Sequence, residues 1–207
     1  MTAWIGDNRG VKNLCLAVTG ASGSVYAVEM LRMLAVDERV EHVDLVVSES
    51  ALRVFAEEMG ISGRTGLVEK VVGSACERIQ VHAHNDIGAN IASGSYPSDG
   101  MIVLPCSMGT LAGISAGLAA NLIQRAADVA LKERRPLILC VRETPFNRIH
   151  LRNMTVAAEA GATIFPAIPT LYNRPQDTGE MARSFVQRVL GFVGLKQAGA
   201  YEWGKNS

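Results

Sequence analysis

R-P-L-I-L-C-V-R-E-T-P-F-N-R-I-H, residues 135–150, holds the pattern that decides the fold. Pro136 to Val141 form an unbroken apolar run. A strand with no polar alternation is one buried on both faces, as in a parallel sheet. The polarity then reverses. Arg142, Glu143 and Thr144 follow at once, Pro145 stiffens the exit, and Arg148 and His150 begin an amphipathic segment. Buried strand, polar exit and helix make up the repeating unit of a parallel sheet wrapped by helices.

The same unit recurs along the chain. Candidate strands are 14–19, 43–48, 77–82, 100–106, 136–141 and 162–167, and candidate helices are 24–35, 49–59, 107–117, 121–134, 150–160 and 178–194. Residues 60–75, punctuated by Gly60, Gly63, Gly66 and Gly73, resist assignment. No repeat, low-complexity tract or linker divides the chain. The expected fold is α/β: a doubly wound, Rossmann/flavodoxin-like parallel sheet with helices on both faces, in one domain over residues 1–207.

Bulk properties narrow the function. Lysine plus arginine equals aspartate plus glutamate, 20 against 20, so no global field favours nucleic acid or a membrane surface. Apolar residues are 48% and charged ones 19%, with a mean hydropathy of +0.17, a balance that favours an oligomer with buried faces. No apolar run reaches the roughly 18 residues of a membrane span, and residues 1–13 lack a secretory signal. Four cysteines without C-x-x-C spacing read as reduced thiols of a cytoplasmic protein.

In such sheets ligands bind beyond the carboxyl ends of the strands. After the first strand comes V-T-G-A-S-G-S-V-Y, residues 18–26. Its glycines suit either a phosphate at a helix start or a tight turn capped by Ser22. It fails the G-x-G-x-x-G spacing of a dinucleotide fold, and Tyr201-x-x-x-Lys205 only imitates a dehydrogenase pair. Glu49 reads as a ribose ligand or as a solvated first-turn acid. After the fourth strand, Pro105, Cys106, Ser107, Gly109 and Thr110 offer amides and hydroxyls at a second helix start, followed by small residues through Gly117. These suit a flat ligand or close helix packing equally. Cys106 reads as a packed thiol rather than a nucleophile.

In the helix at 121–134, Leu122, Ile123, Ala126, Val129 and Ala130 should face inward. Arg125 and Lys132 lie seven residues apart, about 10 Å along one face, with Asp128 placed to hold both. Arg134 and Arg135 read as answers to the helix C-terminal dipole. At the opening stretch, Arg142 and Glu143 supply one cation and one carboxylate, as an anionic ligand with a proton to move would need; an ion pair is the competing account. His82 and His84 alternate on a strand without a third ligand nearby, and no metal is expected.

These blocks together resemble a known family. V-T-G-A-S-G at 18–23, A-S-G-S at 92–95, P-C-S-M-G-T-L at 105–111, N-L-I-Q-R-A-A-D-V at 121–129, L-K-E-R-R-P-L at 131–137, R-E-T-P at 142–145, H-L-R-N-M at 150–154, P-T-L-Y-N-R-P at 169–175 and Arg188 are similar to the flavin prenyltransferases of the UbiX type. The resemblance covers about residues 14–195, the core of a single flavoprotein domain with short extensions; Ala27 and Ala120 depart from the usual pattern.

The resemblance implies an enzyme that joins the five-carbon group of dimethylallyl phosphate to N5 and C6 of reduced FMN. Phosphate is released, and the prenylated FMN goes to UbiD-type decarboxylases, as in ubiquinone biosynthesis. It also implies a dodecamer with sites between subunits. Gly20, Ala21, Ser22, Ser48, Ser107, Met108, Gly109, Thr110 and Arg142 would hold FMN. Ser93, Arg125, Lys132, Tyr172 and Arg188 would surround the prenyl phosphate, while Ser22, Glu58, Arg125, Lys132 and Glu143 would serve catalysis, with Glu57 competing for the role of Glu58. No aspartate-rich box is present to recruit magnesium for a diphosphate, which fits a monophosphate neutralised by protein donors. The alternatives are an FMN-dependent decarboxylase of the cysteine-decarboxylase type, whose early-helix histidine is missing here, and a non-catalytic FMN carrier. A nicotinamide reductase comes third.

Overall fold

The structure is a computed structural model describing residues 13–201 and residue 204. The N-terminal dozen residues and Lys205, on which two of the expectations above rest, lie outside the described residues.

Six strands form one parallel sheet: β1 (Asn13–Val18), β2 (His42–Val47), β3 (Ile79–His82), β4 (Gly100–Cys106), β5 (Leu137–Val141) and β6 (Thr163–Ile164), in the order β3-β2-β1-β4-β5-β6. This is the doubly wound order whose winding reverses between β1 and β4, and that crevice is where such folds place a ligand. The central strands are buried on both faces because their side chains alternate between two cores. Leu14, Leu16 and Val18 point to one, and Cys15 and Ala17 to the other.

The first core is covered by α1 (Ser24–Val36), α2 (Glu49–Met59), α3 (Leu67–Val72) and α7 (Thr178–Phe192), and the second by α4 (Met108–Ser115), α5 (Leu122–Lys132) and α6 (Arg148–Glu159). In α5 the five residues expected to face inward are all buried.

Two expectations change. The unassigned glycine stretch contains α3, bounded by Gly66 and Gly73 in left-handed conformations and anchored by buried Leu67, Val68 and Val71. The last strand is only two residues long, although backbone pairing continues as Phe165 donates to Leu139 and Ala167 to Val141. Among the described residues no helix is long and apolar enough to cross a membrane.

Candidate active site

The exits of β1 and β4 are tied together by a residue that the sequence reading overlooked. Thr19 is buried; its hydroxyl donates to the Pro105 carbonyl at 2.7 Å and accepts from the Ser107 amide at 2.8 Å. The β5 exit joins them through the Arg142 amide, which donates to the Cys106 carbonyl at 3.1 Å. The loops carrying Gly20–Ser22, Ser107–Thr110 and Arg142–Glu143 therefore emerge side by side at the switch point.

Ser48 and Ser107 do equivalent work. Each is an N-cap, Ser48 accepting from the Ala51 amide at 3.1 Å and Ser107 from the Thr110 amide at 3.3 Å. Among the described residues the amides of Met108 and Gly109, at the start of α4, are left without an acceptor. A Cβ built on Gly109 meets no atom within 4 Å, whereas one on Gly113 would collide with the Gln124 amide. The two readings of the small-residue segment thus divide: Gly113 serves close packing of α4 on α5, and Gly109 faces open space. Gly20 packs against Ser50 at the start of α2 with no room for a side chain.

The first glycine loop differs from its phosphate-cradle expectation, and Ser22 is not the cap. Gly23 takes the N-cap position of α1 at φ 116, and the donors are claimed by Glu58 of α2, which accepts from the Gly23 amide at 3.0 Å and the Ser24 amide at 2.7 Å. Burial would raise its pKa, but hydrogen bonds from Ser22, Ser24 and Gly23 outweigh that and hold the carboxyl below its ordinary value. Of the two glutamates it is Glu58 that faces the first glycine loop, while Glu57 turns away to Arg53 at 2.9 Å. Glu49, the alternative ribose ligand, is exposed and bound to Arg64.

Arg142 is half-buried and Glu143 exposed, with a Glu143 oxygen accepting the Thr144 amide at 2.9 Å. They are not paired with one another among the hydrogen bonds and ion pairs of the described residues, so the ion-pair account lapses. His150 belongs to structure: it completes a capping box with Asn147 at the start of α6. Cys106 is packed, and burial pushes its thiol up to about 12. His82 is buried against Asp44 at 2.6 Å, while His84 lies beyond the strand. Among the described residues no group of three or more His, Cys, Asp or Glu is placed to hold a metal ion.

The expected phosphate residues form two separate clusters. Ser93, Arg125 and Lys132 assemble where the 92–95 loop crosses α5: Arg125 donates to the Ala92 carbonyl at 3.0 Å and pairs with Asp128 at 2.9 Å. Asp128 does not hold Lys132 as well; Lys132 pairs with Glu133. Nor does Arg135 merely answer the helix dipole, because it donates to the Gly94 carbonyl at 2.6 Å. Tyr172 and Arg188 lie on the opposite face of the sheet, lining a cavity of about 410 Å³ with Ser184, Lys196 and Tyr201. Arg188 sits 5.8 Å from the Phe165 ring, and Tyr172 stacks on Tyr201. Because α5 runs directly into the amino end of β5, its Lys132 lies towards the end of the sheet opposite the glycine loops. Within one chain the fold does not enclose all these residues in a single cavity.

A parallel sheet reversing between β1 and β4, with capped helix starts at the strand exits, is the doubly wound class that takes its ligand at the switch point. The Flavoprotein family model matches residues 5–194. The flavin prenyltransferase UbiX of Pseudomonas aeruginosa is 40% identical over 202 residues, 95% of this chain and 96% of that protein. Among solved structures, a dodecameric FMN-dependent UbiX-like decarboxylase from Escherichia coli O157:H7 superposes with a TM-score of 0.83 at 39% identity, covering 92% of this chain and 98% of the other. AnUbiX in complex with FMN and dimethylallyl pyrophosphate superposes with a TM-score of 0.79 at 36% identity, covering 93% and 100%. The chain belongs to the Flavoprotein family and, within it, to the flavin prenyltransferases of the UbiX type.

Proposed function

We propose that this chain, acting as one flavoprotein domain, transfers the dimethylallyl group of dimethylallyl phosphate to N5 and C6 of reduced FMN and releases phosphate. The observation that carries this reading is the convergence of three strand exits through Thr19, Ser107 and Arg142 beside the open face of Gly109. Reduced FMN, as a substrate, brings an electron-rich ring. The free amides of Met108 and Gly109, with Ser48, Ser107, Thr110 and Arg142, are the donors to hold it, its phosphate favouring a helix start. With the donors at the start of α1 occupied by Glu58, Gly20, Ala21 and Ser22 act as a wall of the crevice rather than as its phosphate cradle.

Ser93, Arg125 and Lys132 of one copy, with Tyr172 and Arg188 of another, receive the phosphate of the second substrate. Preorganised cations stabilise the charge that builds on the leaving oxygen. Glu143, on the exposed β5 exit, takes the proton lost on ring closure, and Glu58 holds Ser22 in place. Homo-oligomerisation is supported by apolar side chains left open on α6 and the loop beyond β6, including Ile149, Leu151, Ile168 and Leu171; a dodecamer is the reading the solved relative favours. The prenylated FMN serves a UbiD-type decarboxylase in the cytoplasm.

The test is anaerobic incubation with reduced FMN and dimethylallyl phosphate, followed by the mass of the extracted flavin. A five-carbon gain is expected. Unmodified FMN that stays bound points instead to a carrier.

A further inference from the structure

Glu133 stands in an unfavourable place. It is the C-cap of α5, where a carboxylate faces the negative end of the helix dipole. Adjacent residues within a helix do not face each other, yet Glu133 has left helical geometry (φ -86, ψ 4) and folds back onto the Lys132 ammonium. The pair lies directly under Gly94: a Cβ built there would strike both the Glu133 carboxylate and the Lys132 nitrogen. Arg135 fastens the same loop through the Gly94 carbonyl, and Arg125 fastens it through Ala92. Arg125 and Lys132 thus each have their own carboxylate, Asp128 on Arg125 and Glu133 on Lys132. Both members of the second pair remain open to solvent, Lys132 at 44% and Glu133 at 37%.

We propose that Glu133 is a positioning residue: an exchangeable counter-ion that holds Lys132 against Gly94, yields it to the phosphate of the substrate, and reclaims it as inorganic phosphate leaves. This rests on the reading above that Arg125 and Lys132 receive that phosphate. Two bare cations on one face would retain the product, and a tethered carboxylate competes with it. Gly94 is part of the device, since any side chain there would displace the pair.

The experiment uses the full chain in its assembled, FMN-loaded form. Inorganic phosphate is titrated calorimetrically into wild type, Glu133→Gln and Glu133→Asp, and steady-state kinetics are run alongside. In Glu133→Gln the phosphate Kd and the KM for dimethylallyl phosphate should each fall about three-fold, the scale of one exposed ion pair, with no gain in kcat; Glu133→Asp should stay near wild type. Gly94→Ala should raise KM without altering FMN affinity. An unchanged or weaker phosphate Kd in Glu133→Gln overturns the proposal. Tighter phosphate binding in a protein whose wild type makes no prenylated flavin supports counter-ion exchange and sinks the transferase reading instead.

Discussion

Glu58 of α2 closes the start of α1, accepting the Ser24 amide at 2.7 Å and the Gly23 amide at 3.0 Å. A carboxylate from the next helix thus does what a bound anion does elsewhere in such folds. Its folded-state pKa lies below the ordinary value because the bonds from Ser22, Ser24 and Gly23 overcome the opposing effect of burial. The stabilisation is therefore complete above the unfolded pKa of about 4.3 and is lost as pH falls through the lower folded value. Glu58→Ala should cost about 1 kcal/mol at neutral pH, the size of a lost cap. The gap to wild type in denaturant midpoint should shrink below about pH 4. A gap of constant size between pH 7 and pH 3 would mean that the carboxylate charge does nothing for the helix.

Thr19 is the rivet of the switch point, so removing its hydroxyl while keeping its shape is informative. Thr19→Val leaves the Pro105 carbonyl and the Ser107 amide without this partner in a buried place. A loss of about 1–3 kcal/mol is expected. FMN affinity should fall as well, because Ser107 opens the loop proposed to hold it. Thr19→Ser should restore most of both, read by thermal unfolding and flavin titration.

The two glycines of α4 should behave oppositely. Gly109→Ala adds a methyl to open space within a helix, where alanine is preferred by up to about 1 kcal/mol, so the flavin-free protein should melt no lower than wild type while its FMN affinity drops. Gly113→Ala drives a methyl into Gln124, whose carbonyl oxygen accepts the Ala120 amide. It should lower the melting temperature. Equal FMN affinity in Gly109→Ala would take the ligand away from that face.

This contrast shows where sequence reading stops. The runs at β1, β4 and β5 announce themselves because burial on both faces leaves little room for polar residues, and β2 does so despite its buried Asp44. The inward set of α5 follows from helical spacing alone. By contrast, α3 hides because its apolar residues occupy under two turns between glycines, and a glycine can equally mark a loop. Glu58 is indistinguishable from Glu57 until α2 is oriented against α1. Thr19 carries no signal at all, since a threonine ending a strand is commonplace and its partners lie 86 and 88 residues away. Lys132 and Glu133 look like a charged tail until the helix ends between them. The two halves of the phosphate cluster separate for a simpler reason: sequence order does not say which face of the sheet a helix covers.

Glu143→Gln is the cleanest substitution for the proton-transfer role. The Thr144 amide it holds at 2.9 Å can bond equally well to an amide oxygen, and the side chain is exposed, so folding and FMN binding should be untouched. If this carboxylate moves the proton, formation of the prenylated product should slow by about 10²-fold or more. Wild-type turnover in the variant would remove Glu143 from the reaction.

The separation of Lys132 from Arg188 on opposite faces of one sheet yields the sharpest prediction. If each site draws one cluster from each of two copies, Lys132→Ala and Arg188→Ala damage different halves of the same site. Each variant alone should be nearly inactive. Mixed in equal amounts after dissociation and reassembly, they create sites in which both contributing halves are wild type. Random mixing places these at roughly one quarter of all sites, because a point-group assembly gives each site one copy of each face. Activity should therefore return to about a quarter of wild type, rising and falling with the mixing ratio. Mixing that restores nothing would show that a single chain carries both clusters to its own flavin, or that Arg188 and Lys132 never meet the same phosphate.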